Sequence, residues 1–206
     1  DLASFWQAIA KEFSTFKNIY GYGLMNEPHD LAPETKWFDM AQASINAIRE
    51  VDTNTLIMVG GNDWSSAERW IEQSDTLKFL KDPANNLAFE AHVYFDKDAS
   101  GTYKYSYEEE ECYPEKGIDR VKPFVEWIKQ NKFHGFIGEY GIPDNDPRWN
   151  ETLDLFLGYL QENGINGTYW AAGPWWDTYF MAITPKDGKD RPQMPIIEKY
   201  TSTLKK

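Results

Sequence analysis

The chain has 206 residues and carries 21 Lys and Arg against 33 Asp and Glu, a net charge of −12. A surface of that sign repels phosphate backbones and anionic lipid, so nucleic acid and membrane are not expected partners, and no apolar run reaches the ~20 residues of a membrane span. A single cysteine, Cys112, rules out an intrachain disulfide framework and a thiolate metal site.

In chain order, Leu2–Phe16 repeats apolar residues at helical spacing, and Ile19–Met25 reads as a strand. Thr35–Glu50 is the next helix, with Trp37, Met40, Ala41, Ile45 and Ile48 on one face and Pro33 near its start. A strand at Thr55–Val59 leads to a helix at Ser65–Glu72, and a strand at Leu87–Tyr94 follows. The stretch from Asp96 to Lys116 is acidic and Tyr-rich and reads as a surface loop, with Cys112 exposed in it and incidental to any chemistry. A helix at Ile118–Asn131, a strand at His134–Glu139, a helix at Arg148–Asn163 stopped by Gly164, a strand at Gly167–Ala171 and a helix at Gln193–Leu204 complete the pattern. Strands alternating with crossover helices imply parallel pairing and an α/β fold. Near-continuous apolar strands fit a sheet covered on both faces. No repeat, low-complexity tract or linker divides residues 1–206, so one domain is expected.

The polar residues gather where the strands end, which is the functional edge of a parallel α/β protein. Asn26-Glu27-Pro28-His29-Asp30 follows the first strand and Gly60-Gly61-Asn62-Asp63-Trp64 the second. The third ends in His92-Val93-Tyr94 and the fourth in Gly138-Glu139-Tyr140-Gly141. The fifth carries Trp170, with Gly173-Pro174-Trp175-Trp176 beyond it. Two carboxylates on separate strand ends are what cleavage of a glycosidic bond requires. Aromatic residues make up 16% of the chain, including 9 Trp, and several stand beside Gly, Asn and Asp, where an exposed ring can stack on a sugar. Each residue also has a structural alternative. Glu27 can be a turn carboxylate before Pro28, Glu139 a salt-bridged acid, His92 a core histidine, and the tryptophans packing. His29 and His134 read as structural, and Asp30 and Asp63 as caps or loop anchors.

Taken in order, these motifs resemble glycoside hydrolase family 5. Asn26-Glu27-Pro28 is similar to the acid/base motif on the fourth strand of that clan, and Gly23–Asp30 is especially like the family's endo-β-1,4-glucanases. Gly61–Trp64, His92 with Tyr94, Glu139 and Trp170 match further family motifs in register. The resemblance implies a (β/α)8 TIM barrel, of which this chain supplies about five strands and six helices. It implies a retaining, endo-acting cleavage of β-1,4-glucan, with β-mannanase or another β-glycanase activity as the alternative. A non-catalytic carbohydrate-binding role for the chain taken alone is the other reading.

In the implied mechanism Glu139 is the nucleophile and Glu27 the acid/base, roughly 5–5.5 Å apart. Asn26 would bond the sugar 2-hydroxyl, Tyr94 would hold Glu139, and His92 would bond a sugar hydroxyl or tune Glu139. Trp170 would floor the sugar at the cleavage point, with Trp64 and Trp175 at neighbouring subsites. No metal and no cofactor is expected, since the three histidines show no metal-ligand spacing and the chemistry needs neither. The family implies secretion, although no signal peptide stands in this sequence. Strands one to three of the barrel are expected to come from a complementary chain or fragment, pairing with the open sides of Ile19–Met25 and Gly167–Ala171.

Overall fold

The computed structural model describes residues 1–32 and 36–201. Pro33, Thr35 and the end of the helix expected at Gln193–Leu204 lie outside the described residues. The helices are α1 (Leu2–Phe13), α2 (Trp37–Arg49), α3 (Asn62–Ser65), α4 (Trp70–Ser74), α5 (Lys116–Asn131), α6 (Arg148–Glu162) and α7 (Met194–Tyr200). The strands are β1 (Gly21–Gly23), β2 (Leu56–Gly60), β3 (Leu87–Tyr94), β4 (His134–Gly141) and β5 (Asn166–Tyr169), neighbours in one sheet in chain order. Among the described residues no helix is long and apolar enough to cross a membrane.

The chain divides into two compact units, residues 1–91 with 123–136, and residues 92–122 with 137–206. In the first unit β1 and β2 pair in parallel with Tyr22 opposite Ile57, and β2 and β3 with Val59 opposite Phe89. Helical crossovers force this direction, because a two-residue turn joins only antiparallel strands. The face of α2 expected to be apolar is the buried one: Trp37, Ala41, Ile45 and Ile48 are almost wholly covered. A second cluster sets Trp70, Phe89, Phe124 and Trp127 edge to face, with Trp70 and Phe124 at 4.6 Å and Phe89 and Trp127 at 4.9 Å. Aromatic rings prefer such tilted contacts because a ring's edge is positive and its face negative.

Arg49, at the end of α2, fixes the opposite end of this unit from the strand-end motifs. Its guanidinium grips Asp82 through Nε at 2.7 Å and Nη2 at 3.0 Å, and donates to the Asp52 and Thr55 carbonyls. Both partners of the ion pair are buried, so removing one would strand a charge out of water.

In the second unit α6 packs Leu153, Phe156, Leu157 and Leu160 inward, with Phe156 against Phe95 and Tyr140. The helix ends as its sequence signals. Gly164 adopts φ +66, and the Ile165 N–H bonds back to the Leu160 carbonyl.

Two expectations need correction. Residues 65–72 do not form one helix: Asp63, Trp64 and Ser65 all take left-handed backbone angles, and the regular turn starts only at Trp70. An Asn-Asp pair favours this break, since short polar side chains tolerate that region. The stretch from Asp96 to Lys116 is also no plain surface loop. Asp96, Glu110 and Lys116 are buried, together with Tyr103 and Tyr107. Its acids are the reason it folds inward. Asp96 accepts from the backbone N–H groups of Gly101, Thr102 and Tyr103, and Glu110 from those of Lys97 and Tyr105. Cys112 is accordingly half-buried rather than exposed, and burial pushes its thiol upward, away from the reactive thiolate.

Candidate active site

In the first unit the chain leaves β1 through Leu24 and Met25 into Asn26 and Glu27. Glu27 sits at φ 44 and Asp30 at φ 47, so the backbone turns sharply at both. Positive angles at residues other than glycine cost energy and persist where surrounding contacts fix them. Pro28 is buried, Glu27 half-buried, and Asn26, His29 and Asp30 are exposed.

The loop after β2 meets this segment. The Trp64 indole lies parallel to the His29 imidazole, with centroids 4.4 Å apart and planes at 15°. His29 Nδ1 and Asp30 Oδ2 share a hydrogen bond of 3.0 Å, and Asp63 is ion-paired with Arg69. Trp64 keeps 43% of its surface exposed. A cavity of about 640 Å³ opens beside this pair, lined by Pro28, His29, Trp37, Asn62 and Trp64 among others. His29 thus joins the segment after β1 to the loop after β2 through a ring face.

In the second unit the ends of β3 and β4 bring Tyr94, His92 and Glu139 together. The Tyr94 hydroxyl donates to Glu139 Oε2 at 2.7 Å. His92 Nδ1 lies 3.7 Å from the same oxygen, too far for a hydrogen bond but close enough for a charge contact if the ring is protonated. The side chains of His92 and Glu139 are only 3% and 15% exposed, so this carboxylate is held in a largely dry setting. Burial, and then the Glu139 charge, drive the Tyr94 phenol far above its usual range. The protonated phenol is thereby kept as the donor to Glu139.

Trp170 follows directly on β5, is half-buried, and is tied to β4 by its N–H to the Tyr140 carbonyl at 2.8 Å. The Trp170–Ala171 peptide bond is cis. Its indole meets Trp176 edge-on at 4.9 Å, and Trp176 meets Tyr179 at the same distance. Trp175 projects with 92% of its surface exposed. His134 opens β4 at the opposite end from Glu139 and is exposed.

Tyr179 was not among the residues singled out from the sequence. Burial raises its phenol, and the Glu139 charge adds to the rise, which puts it in the same electrostatic neighbourhood. The signal for it was the aromatic run Trp175-Trp176 continuing to Tyr179-Phe180 after two polar residues.

Acidic and aromatic groups follow the strand ends in each unit of this α/β chain, and comparison with known proteins gives the family. The cellulase model, glycosyl hydrolase family 5, matches residues 1–175, and the chain belongs to that family. Endo-beta-1,4-glucanase B of Emericella nidulans is 36% identical over 193 residues, covering 91% of this chain and 56% of that protein. The chain thus spans little more than half the length of this relative. The solved structure of Pseudomonas stutzeri endoglucanase Cel5A in complex with cellobiose superimposes with a TM-score of 0.90 at 44% identity, over 97% of this chain and 59% of that one. XacCel5A in complex with cellopentaose gives 0.86 at 39% identity, over 97% and 65%. The fold class is that of these enzymes, a (β/α)8 barrel to which the described residues contribute five strands and seven α-helices.

Proposed function

We propose that this chain carries the catalytic carboxylates of a retaining endo-β-1,4-glucanase, with Glu139 as nucleophile and Glu27 as acid/base. The observation that carries the reading is the hydrogen bond from the Tyr94 hydroxyl to Glu139 Oε2. A phenol whose pKa is pushed above its usual range orients one oxygen of a carboxylate whose side chain is only 15% exposed, which suits attack along a fixed line. The family membership and the glucanase names of the relatives support the reaction class. The cellobiose and cellopentaose in the two similar structures support the substrate class.

The reaction runs in two displacements. A Glu139 oxygen bonds to the anomeric carbon while the glycosidic C–O bond breaks, and Glu27 gives its proton to the departing oxygen. Glu27 then takes a proton from water, whose oxygen displaces Glu139 from the sugar. Asn26 bonds the 2-hydroxyl at the transition state. His92, buried beside Glu139, tunes its charge rather than reaching solvent-side hydroxyls. Trp170 floors the reacting ring, and the open faces of Trp64 and Trp175 serve neighbouring sugars.

Two further points belong to this reading. β1 and β5 are the outer strands of the sheet among the described residues, which supports completion by a complementary segment. A polymeric substrate also favours action outside the cell, hence secretion. The test is hydrolysis of carboxymethyl cellulose, mannan and cello-oligosaccharides by the full-length protein. Preference for the two glucans, lost in Glu139→Gln, is expected; preference for mannan would contradict the substrate.

A further inference from the structure

Behind Tyr94 and Glu139 stands a loop that the proposed chemistry leaves unused. It runs from Asp96 to Tyr103 and is organised around the Asp96 carboxylate, which is fully buried. That carboxylate accepts from Ser100 Oγ at 3.0 Å, Gly101 N at 3.1 Å, Thr102 N at 3.0 Å and Tyr103 N at 3.3 Å. A charge removed from water is tolerated because four donors replace it, and meeting all four fixes the loop in one shape.

The shape delivers two contacts, one to the Tyr94 ring and one to the backbone just past Tyr94 and Glu139. Gly101, at φ +72, lies flat against the Tyr94 ring: a Cβ there would stand 3.0 Å from Cδ1 and 3.1 Å from Cε1 and Cγ. No side chain fits without moving the ring that holds Glu139. Tyr103, itself at φ 43, turns its buried hydroxyl between two strand ends. The hydroxyl accepts from Phe95 N at 2.9 Å, one residue past Tyr94, and donates to the Gly141 carbonyl at 2.6 Å, two residues past Glu139. One oxygen thus ties the end of β3 to the end of β4. The Tyr103 ring is locked edge-on against Trp149 at 5.0 Å, and Arg120 secures the same strand end by donating to the Tyr94 carbonyl.

We propose that Gly101 and Tyr103 are positioning residues for the nucleophile: the Asp96-centred loop sets where Glu139 points, through the Tyr94 ring on one side and the strand clamp on the other. This rests on Glu139 being the nucleophile. Attack along a bond axis is sensitive to displacements of about 1 Å, so loosening either contact slows attack without changing sugar affinity.

The experiment is covalent trapping with a dinitrophenyl 2-deoxy-2-fluoro-β-cellobioside on the full-length enzyme. The carboxylate bonds to the anomeric carbon and dinitrophenolate leaves with the electron pair, needing no proton from Glu27. The labelled peptide is then identified by mass spectrometry. Wild type should be labelled on Glu139. Tyr103→Phe and Gly101→Ala should be labelled there at least about tenfold more slowly at saturation, with an unchanged half-saturating concentration. Thermal melting counts the folded fraction, and Gly101→Ala, which leaves the clamp hydroxyl in place, carries the test should Tyr103→Phe fail to fold. Labelling of both variants at the wild-type rate per folded molecule overturns the proposal while leaving Glu139 as nucleophile. Labelling of wild type at another residue overturns the reading of Glu139 and the proposal with it.

Discussion

Tyr94 donates its hydroxyl hydrogen to Glu139 Oε2 across 2.7 Å, from the end of one strand to the next. A hydrogen bond to a charged group contributes roughly 1.5–3 kcal/mol. Tyr94→Phe keeps the ring and loses the bond, so turnover should fall by about ten- to a hundredfold. Steady-state kinetics on cello-oligosaccharides check this, and a variant within twofold of wild type would mean that the phenol does not orient the carboxylate.

Replacing the two carboxylates should cause different failures. Glu139→Gln removes the attacking oxygen and should abolish turnover on every substrate. Glu27→Ala should be least impaired on activated aryl glycosides, whose leaving groups need little protonation. Added azide should restore it by attacking the glycosyl-enzyme. Equal impairment of Glu27→Ala on aryl glycosides and on cello-oligosaccharides would argue against an acid/base role.

Trp170→Ala should raise the barrier by roughly 1–3 kcal/mol if stacking on sugar resembles other aromatic stacking. Trp170 is half-buried and lies past the last residue of β5, so the far-ultraviolet circular dichroism spectrum should persist. Loss of the fold would place this ring in the core.

Stability at low pH should depend on Asp52. Burial raises its pKa, but the Thr55 hydroxyl and N–H, the Asn54 N–H and the Tyr22 hydroxyl together bring it down to about 2 from 3.8. A depressed folded pKa means stability that is present above the unfolded value and lost as pH falls through the folded one. The window here runs from about 4 down to about 2. A shift of that size corresponds to roughly 2 kcal/mol. Chemical denaturation of wild type and Asp52→Asn across that window should show wild type losing its advantage. A constant difference between the two would contradict the assignment.

Much of this was legible in the sequence, and the parts that were not share a cause. β3 runs from Leu87 to Tyr94 as read, because a largely apolar segment covered on both faces, interrupted only by Glu90 and His92, leaves its mark in the sequence. The buried face of α2 was equally plain from its spacing. β1 is only Gly21–Gly23, since Gly-rich segments pair weakly, although the Leu24 N–H still bonds the Met58 carbonyl of β2. The break at Asp63–Ser65 and the inward fold of the segment after β3 depend on hydrogen bonds and ion pairs that leave no mark in hydrophobic periodicity. Acids at 96 and 110 look solvent-facing by composition, and the backbone N–H groups around them, with the Ser100 hydroxyl, make their burial possible. Tyr103 and Tyr179 escaped notice for the same reason, since the Tyr103 bond to Gly141 and the influence of Glu139 on Tyr179 join residues far apart along the chain.

The stereochemistry of cleavage tests the central claim most directly. Proton nuclear magnetic resonance during hydrolysis of a cello-oligosaccharide by the full-length protein resolves the anomer of each newly released reducing end before mutarotation. Double displacement through Glu139 predicts that the β-anomer appears first. Initial release of the α-anomer would contradict it.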